Sequence, residues 1–377
     1  MTPERTSIIP YSIARQPWGM LIPLLLLVAF GAAVLFSAAG GSMQPYASSH
    51  LMRFSVALVI AAVITAFPRD LVKLLTYPVY IIVLVMLVGV EVMGALRGGS
   101  QRWLDLGFMN LQPSELMKPV IVVTLALFYS SLPANMVTSW RALLVPGTMI
   151  ALPMALVLMQ PDLGTSLAIA FGGGVVMLLA GLPMRWFVGG AIAAVAAAPL
   201  IFYFGLKEYQ QRRILTMFDS EADALGDGYH IAQSKIAIGS GGIFGKGFNN
   251  GSQSHLQYLP EPHTDFVFAT MAEEWGLVGG VFVLAVFSVI LRWGLKVARE
   301  SKDRFSSLMA AGMSATIFFY IAVNLMMVMG MAPVVGIPLP FMSHGGSSML
   351  TNMICIGALM MVNRWNQNTP RGGFASH

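Results

Sequence analysis

The chain has 377 residues, of which 56% are hydrophobic and only 10% are charged, and its mean hydropathy is +0.72. This composition excludes a soluble globular protein, because soluble domains carry a much larger share of charged residues. The net charge of +5 gives no reason to expect nucleic-acid binding, because membrane proteins concentrate Lys and Arg in their cytoplasmic loops.

Ten apolar runs recur along the chain, and each is long enough to cross about 30 Å of hydrocarbon as a helix. Because a chain in lipid has to satisfy its own backbone hydrogen bonds, the runs predict an all-α, polytopic membrane protein. We expect a single integral membrane domain over residues 1–377. The predicted transmembrane helices lie near residues 19–39, 51–67, 71–90, 114–132, 142–160, 163–181, 186–205, 266–291, 306–330 and 346–363.

The distribution of Lys and Arg predicts the orientation of the chain in the membrane. The short loop after the eighth apolar run is rich in basic residues, and short cytoplasmic loops are enriched in Lys and Arg. We therefore expect both termini to be cytoplasmic, with the chain in the cytoplasmic (inner) membrane. The basic residues of this loop are Arg292, Lys296, Arg299, Lys302 and Arg304.

Two connections between the runs are long, and both are predicted on the outer side of the membrane. They cover about 91–113 and about 206–264, and loops of this length are usually functional or disordered. The second, a large extracytoplasmic loop, contains Arg212, Arg213 and a glycine-rich segment at 239–247 that includes Lys246. Exposed amides and Lys246 could receive an anionic group there, although a flexible glycine loop is an equally good interpretation.

An aspartate stands where the second long loop returns to the membrane, since Asp265 immediately precedes the eighth apolar run. A carboxylate at the edge of a membrane span is costly and is usually kept for a function. Further polar segments are predicted at the same face, and their convergence with Asp265 favours a site, although each alone is as typical of a cap or a turn. They supply Arg102, Glu115, Lys118, Asp162, His263 and Ser343.

Two of these interpretations have structural alternatives. Glu115 and Lys118 are three residues apart on one helical face, so a local ion pair would also explain them. Glu273 and Glu274 lie about two turns beyond Asp265, and we expect them to close a buried hydrogen-bond network rather than to act in catalysis.

Several motifs resemble the SEDS (shape, elongation, division and sporulation) family of membrane polymerases, over essentially all ten runs. The paired glutamates after Ala272 and the Gln-Ser-Lys at 233–235 resemble the elongation branch of the family rather than its division branch. The motifs that carry the resemblance are Gly-Tyr-His-Ile at 228–231, Gln-Ser-Lys-Ile-Ala-Ile-Gly-Ser-Gly-Gly at 233–242, Leu-Pro-Glu at 259–261, His-Thr-Asp-Phe at 263–266, Gln-Pro-Ser-Glu-Leu-Met-Lys at 112–118, Gln-Pro-Asp-Leu-Gly-Thr at 160–165 and Ser-His-Gly-Gly-Ser at 343–347.

The resemblance implies a GT-C-like peptidoglycan glycosyltransferase that polymerises lipid II during cell elongation. It also implies a class B penicillin-binding protein as the transpeptidase partner, together with other membrane proteins of the elongation complex. The aspartate that matches Asp265 is required for polymerisation in the family, and the residues that match Glu115 and Lys118 are also implicated. A divalent cation, Mg²⁺ or Mn²⁺, supports the family's activity, and Glu115 or Asp162 could supply a ligand for it.

For this reaction we expect Asp265 to act as a general base, and cations to stabilise the leaving diphosphate. The candidate cations are Arg102, Lys118, Arg212, Arg213 and Lys246. Two other functions stay open from the sequence. A lipid II flippase would handle the same amphiphile, and a non-catalytic scaffold would recruit cell-wall enzymes without needing a carboxylate at this position.

Overall fold

The computed structural model describes residues 16–93, 95–97, 100–105, 110–205, 210–211, 215, 227–255, 258–259 and 261–368. Its α-helices are α1 (Trp18–Ala38), α2 (Tyr46–Thr65), α3 (Arg69–Met93), α4 (Pro113–Ser131), α5 (Trp140–Met159), α6 (Leu163–Leu179), α7 (Met184–Leu200), α8 (Asp227–Gly241), α9 (Ser252–His255), α10 (Val267–Glu300), α11 (Arg304–Val328) and α12 (Gly346–Asn368). A 3₁₀ turn at Ala134–Met136 and a π-helical turn at Ile201–Gly205 are further helical elements.

Each of the ten predicted runs coincides with a helix, which confirms the all-α polytopic class. Among the described residues, eight helices are long and apolar enough to cross a membrane, and α6 and α7 are apolar but have 17 residues each. The chain is therefore a multi-pass membrane protein. The number of ten crossings and the likeness to GT-C enzymes stay predictions.

The centre of the bundle is formed by α4, α11 and α12. In each of these helices, 67% of an apolar 18-residue stretch is buried inside the protein. α11 packs against α4, α6, α10 and α12, whereas α12 packs mainly against α2. By contrast, α7 has no buried residue and faces outward along its length. The polar side chains of α4 and α11 are thus enclosed by protein rather than by lipid.

A small antiparallel sheet lies in the connection between α3 and α4, where the sequence predicted only a long loop. It consists of β1 (Ala95–Arg97), β2 (Ser100–Asp105) and β3 (Asn110–Leu111), with β2 in the middle. The pairing of β2 with β3 brings Leu104 opposite Leu111, just before α4 begins. The sheet therefore fixes β2, and with it Arg102, next to the start of α4.

The bundle has two ends, which we name after Asp265, just before α10, and Arg292, within α10. At the Asp265 end, a turn over residues 261–266 leads into α10. At the Arg292 end, Gln16 and Asn368 line one cavity of about 560 Å³, and Asn366 donates a hydrogen bond to the carbonyl of Val297 at 3.3 Å. The first and last described residues of the chain therefore lie at the same end of the bundle.

The large loop predicted at 206–264 contains a helix, α8, that packs against α10 and α11. The hydroxyl of Ser234 donates to the carbonyl of Val328 at the end of α11, at 2.7 Å. We name residues 241–247 the glycine strap. The strap begins at Gly241, the last residue of α8. The strap lies against α10 at Gly276, where the helix is interrupted by a residue with φ 62° and ψ −157°.

Candidate functional site

The turn that carries Asp265 is held in place by contacts to its backbone. The side-chain amide of Asn324, on α11, donates to the carbonyl of Asp265 at 2.9 Å and to that of Ile337 at 2.7 Å. The hydroxyl of Ser343 donates to the carbonyl of Thr264 at 2.6 Å and accepts from the amide of Leu339 at 2.8 Å. The segment between α11 and α12 thus fixes the turn.

The side chain of Asp265 is half-buried at the top of α10, in contrast to the fully buried residues that follow it. A Cβ added to Gly336 would stand 3.5 Å from its Oδ2 atom, so the backbone of the α11–α12 segment passes beside the carboxylate. The backbone of Asp265 is therefore held by contacts within the protein, and its side chain lies at a partly exposed surface.

Next to Asp265, the ring of His263 stacks on Tyr46 with centroids 3.9 Å apart. The backbone amide of His344 donates to the carbonyl of His263 at 2.8 Å. Burial lowers the pKa of His263, and the nearby carboxylate of Glu261, at 3.5 Å, partly offsets that effect. His263 is thus an uncharged aromatic ring at the wall of the site. The sequence predicted that His263 belongs to this site.

An arginine that sequence reasoning did not single out lies at this wall. The Nη1 atom of Arg53, on α2, is 3.0 Å from Nε2 of His344. Since a guanidinium can only donate, Nε2 of His344 accepts and its ring is neutral. Burial, together with the positive charge of Arg53, lowers the pKa of His344 to about 4. A permanent positive charge therefore stands near the Asp265 turn.

Glu115 and Lys118 form a buried cluster with Tyr320. The Nζ atom of Lys118 donates to Oε1 of Glu115 at 2.5 Å and also contacts the hydroxyl of Tyr320, which donates to Oε2 of Glu115 at 2.7 Å. The three side chains are at most 8% exposed. Charges this deep persist because each is paired and hydrogen-bonded. The ion pair that the sequence allowed is present, and Tyr320 completes it.

The Glu115 cluster and the Asp265 turn are joined by one face of α11. Tyr320 and Asn324 are four residues apart and therefore lie one above the other on the helix. Tyr320 contacts Glu115, whereas Asn324 contacts the backbone of Asp265. The position of α11 thus determines the position of both acidic groups.

Arg102 and Asp162 lie together, but both serve the turn between α5 and α6. Arg102 donates to the carbonyl of Gln160 at 2.9 Å and to that of Pro161 at 2.5 Å, and its Nη1 atom is 3.8 Å from Asp162. Asp162 is the N-cap of α6 and accepts from the amide of Thr165 at 3.0 Å. The structure brings these residues to the Asp265 end as predicted, with their polar atoms engaged by the fold.

Lys246 binds a carboxylate of the protein, whereas the sequence allowed it to bind an anionic ligand. Its Nζ atom donates to Oε1 of Glu273 at 2.6 Å and to the hydroxyl of Ser252 at 2.8 Å. The same carboxylate accepts from the amide of Gln253 at 3.1 Å, and Glu273 is fully buried. Lys246 therefore neutralises a buried carboxylate, and Glu273 has the structural role that was expected of it.

The amides of the glycine strap are also used within the protein. The amides of Lys246 and Gly247 donate to the carbonyls of Glu273 and Glu274, each at 3.0 Å. A Cβ on Gly245 would stand 2.0 Å from the carbonyl oxygen of Glu274, so only glycine permits this approach. Gly245 thus serves close packing against α10, and the amides of Lys246 and Gly247 bind protein carbonyls rather than the anion that was one of two interpretations of this loop.

The described residues do not offer a protein-built metal site at the positions that the sequence suggested. No group of three or more His, Cys, Asp or Glu side chains converges within this part of the chain. The carboxylate oxygens of Glu115 are bound by Lys118 and Tyr320, and those of Asp162 by Thr165 and the amide of Gln112, the latter at 3.3 Å. Their engagement does not fit the role of cation ligand that the sequence suggested for Glu115 or Asp162. Arg212 and Arg213 lie outside the described residues.

An apolar cavity of about 310 Å³ begins beside the Glu115 cluster. It lies between α3, α4, α11 and α12, and Leu116 of α4 forms part of its wall. On the α3 side its lining residues Leu75 and Val79 are 42% and 39% exposed, so the cavity opens toward the surrounding lipid. The cavity is thus an apolar groove that is open laterally to the bilayer.

The residues that sequence reasoning missed have partners far away in the chain. Arg53, Tyr320 and Asn324 each have a partner that is between 59 and 291 positions away. Each stands within an apolar run, and a polar residue inside such a run was the available signal for a functional or structural role.

Comparison with known proteins places the chain among membrane proteins of cell-wall synthesis. A family profile described as FtsW/RodA/SpoVE, cell cycle protein, matches residues 17–368. The peptidoglycan glycosyltransferase MrdB of Escherichia coli K12 is 41% identical over 350 residues, which cover 91% of this chain and 92% of MrdB.

Two solved structures share the fold over nearly the whole chain. A chain from a peptidoglycan synthase complex, described as coordinating polymerisation and crosslinking, superposes with a TM-score of 0.81 at 29% identity, covering 94% of this chain and 99% of that chain. The crystal structure of the rod shape determining protein RodA of Thermus thermophilus superposes with a TM-score of 0.72 at 27% identity, with the same coverage.

Proposed function

Because this chain belongs to the FtsW/RodA/SpoVE family and is a peptidoglycan glycosyltransferase, we propose that it polymerises lipid II during cell elongation, with Asp265 as the general base. The observation that carries the proposal is the Asp265 turn. Its backbone is fixed by Asn324 and Ser343, while its carboxylate stands half-buried at the end of the bundle. A base has to be held in position while its oxygen atoms stay within reach of substrate.

The proposed reaction joins two lipid-linked sugars. The 4-hydroxyl of GlcNAc on incoming lipid II attacks C1 of the MurNAc that links the growing strand to undecaprenyl diphosphate. Asp265 accepts the proton of that hydroxyl, the bond from C1 to the diphosphate oxygen breaks, and the α-linked donor becomes a β-1,4 product by inversion. The diphosphate leaves without needing a second acid, so paired carboxylates are not required.

The leaving diphosphate develops negative charge, which a nearby cation stabilises. The described residues favour Arg53 for this role, because its guanidinium lies beside His344 at the wall of the Asp265 turn. Arg102, Lys118 and Lys246 are engaged with carbonyls or carboxylates of the protein. Mg²⁺ or Mn²⁺ stays part of the proposal as a cation that supports activity, and no step of the reaction is assigned to it.

The apolar cavity beside Leu116 suits the polyprenyl tail of one substrate, since it is lined by apolar side chains and opens to the bilayer. We place the Asp265 turn on the outer (periplasmic) face of the inner membrane, with both termini cytoplasmic. The common position of Gln16 and Asn368 at the opposite end of the bundle supports this orientation.

A class B penicillin-binding protein is the proposed crosslinking partner, since the similar chain of known structure belongs to a complex of polymerisation and crosslinking. Other membrane proteins of the elongation complex are further proposed partners. A flippase and a scaffold stay alternatives from the sequence, and no observation in the described residues favours either.

The deciding experiment combines purified protein, lipid II and Mg²⁺, with and without the class B penicillin-binding protein. Glycan strands are measured for the wild type, for Asp265→Ala and for Glu300→Ala. Glu300 is the control, because it is an acid at the Arg292 end of α10, the helix that follows Asp265. We expect strands from the wild type and from Glu300→Ala only. Unchanged strand synthesis by a folded Asp265→Ala variant would exclude Asp265 as the base.

A further inference from the structure

The glycine strap carries two exposed apolar side chains that the proposed reaction does not use. Ile243 is 61% exposed and Phe244 is 81% exposed. Their exposure is enforced by the backbone, because the strap is hydrogen-bonded to α10 on both sides of Gly276. Large apolar side chains that are held outward in this way mark a surface that is covered by something apolar.

The depth of the strap in the membrane follows from α10. About 20 helical residues span the hydrocarbon core, and Arg292 is the first charged residue of α10 toward the Arg292 end. Counting back by that length places the opposite hydrocarbon boundary close to Glu273 and Glu274. The strap binds α10 at this level, since the amides of Leu277 and Val278 donate to carbonyls of the strap at 2.9 and 3.1 Å.

The exposure of the residues of α10 changes at the same depth. Residues 266–274 are all buried within the protein, whereas Leu277, Val278 and Val281 are 61%, 54% and 56% exposed. Contact between α10 and lipid therefore begins directly beside the strap, and Ile243 and Phe244 extend the lipid-facing surface rather than a separate patch.

The polar atoms of the strap also fit a lipid environment. Non-helical backbone at membrane depth is tolerated only where its polar groups are satisfied by protein. The amides of Gly245, Lys246 and Gly247 donate to protein carbonyls, and the carbonyls of Gly241 and Gly242 accept from protein amides. The charge of Lys246 is turned inward onto Glu273.

We propose that the glycine strap is a membrane anchor that inserts Ile243 and Phe244 into the lipid leaflet on the Asp265 side. The anchor fixes the C-terminal end of α8 at the bilayer surface and holds the interrupted part of α10 at a defined depth. Its partner is the lipid itself, because the strap lies within the thickness of the bilayer and continues the lipid-facing surface of α10.

The test measures the depth of position 244 with a spin label on Phe244→Cys, in full-length protein in nanodiscs of phosphatidylethanolamine and phosphatidylglycerol that hold one copy each. Collision with oxygen reports lipid, and collision with a water-soluble nickel chelate reports water. Val281→Cys is the lipid reference and Tyr258→Cys, which is 47% exposed in the loop, is the aqueous reference. The native Cys355 is buried and stays in place.

We expect position 244 to match position 281, with high oxygen and low nickel accessibility. A match with position 258 would overturn the anchor. Low accessibility to both reagents would also overturn it, because protein rather than lipid would then cover the strap. If Phe244→Cys does not fold, Ile243→Cys gives the same measurement at the neighbouring side chain.

Discussion

Asp265 and Glu115 are carboxylates at the same end of the bundle, each at or near the start of a helix, yet their surroundings differ. Both carboxylate oxygens of Glu115 are bound, by Lys118 and by Tyr320, and its side chain is buried. At Asp265 the backbone carbonyl accepts a hydrogen bond from Asn324, and the side chain is half-buried. The comparison teaches that a place near the start of a helix does not determine the role of a carboxylate, whereas the burial of its side chain does.

The largest expected effect separates activity from stability at Asp265. Asp265→Asn keeps the shape of the side chain but removes the base, so polymerisation should fall by about 10²- to 10⁴-fold. The melting temperature should stay close to that of the wild type, because the backbone contacts remain. Strand synthesis and thermal unfolding measure the two quantities. A large loss of stability would show that Asp265 resembles Glu115 after all.

At the Glu115 cluster we expect the reverse order of effects. Lys118→Met leaves a buried carboxylate without its cation, which costs about 3–5 kcal/mol in the free energy of unfolding. The double variant Glu115→Gln, Lys118→Met removes the unpaired charge and should recover part of that loss. Thermal unfolding of both variants tests the pairing. A double variant that is no more stable than Lys118→Met would contradict it.

Asn324 links the two regions, and its removal should affect both quantities moderately. Asn324→Ala leaves the carbonyls of Asp265 and Ile337 without their donor, which costs about 1–3 kcal/mol in stability. Polymerisation should fall further than the fraction of folded protein, because the turn loses a fixed point. The matched control is Asn352→Ala, since the amide of Asn352 donates within its own helix, to Ser348. Equal loss of activity in both variants would contradict a role at the turn.

The smallest expected effect is a pH dependence at the wall of the site. The pKa of His344 is lowered to about 4 from its ordinary value of 6.5. The unfolded chain therefore takes up this proton first, so the contribution of the neutral ring to stability is full above pH 6.5 and is lost as pH falls toward about 4. Melting temperatures across this interval should fall less steeply for His344→Gln. An unchanged slope would exclude His344 as the source.

The sequence was sufficient to predict the helices and to predict that polar residues meet at one end of the bundle. Apolar runs are a local signal, so all ten coincide with helices. The resemblance to SEDS polymerases, carried by short motifs, is confirmed as family membership. The small sheet at residues 95–111 was missed because its strands have two to six residues each and are defined by pairing rather than by composition.

What the sequence could not provide is the identity of long-range partners. Lys246 was predicted to bind an anion, and the buried carboxylate of Glu273, 27 residues away, occupies it instead. The glycines of the strap were interpreted through their freedom of conformation, and Gly242, Gly245 and Gly247 do have positive φ angles. The sequence could not show that close packing against α10 also requires glycine at positions 241 and 245. Tyr320 and Asn324 were missed because a hydrogen bond across the bundle leaves no local pattern that identifies the two partners.

The lateral opening of the apolar cavity beside Leu116 has a consequence for inhibitors. A compound that occupies this cavity arrives from the lipid phase, so its local concentration depends on how strongly it partitions into the membrane. The dose that inhibits then rises with the amount of lipid in the assay. Potencies measured in cells, vesicles and detergent are therefore comparable only after correction for the lipid volume in each.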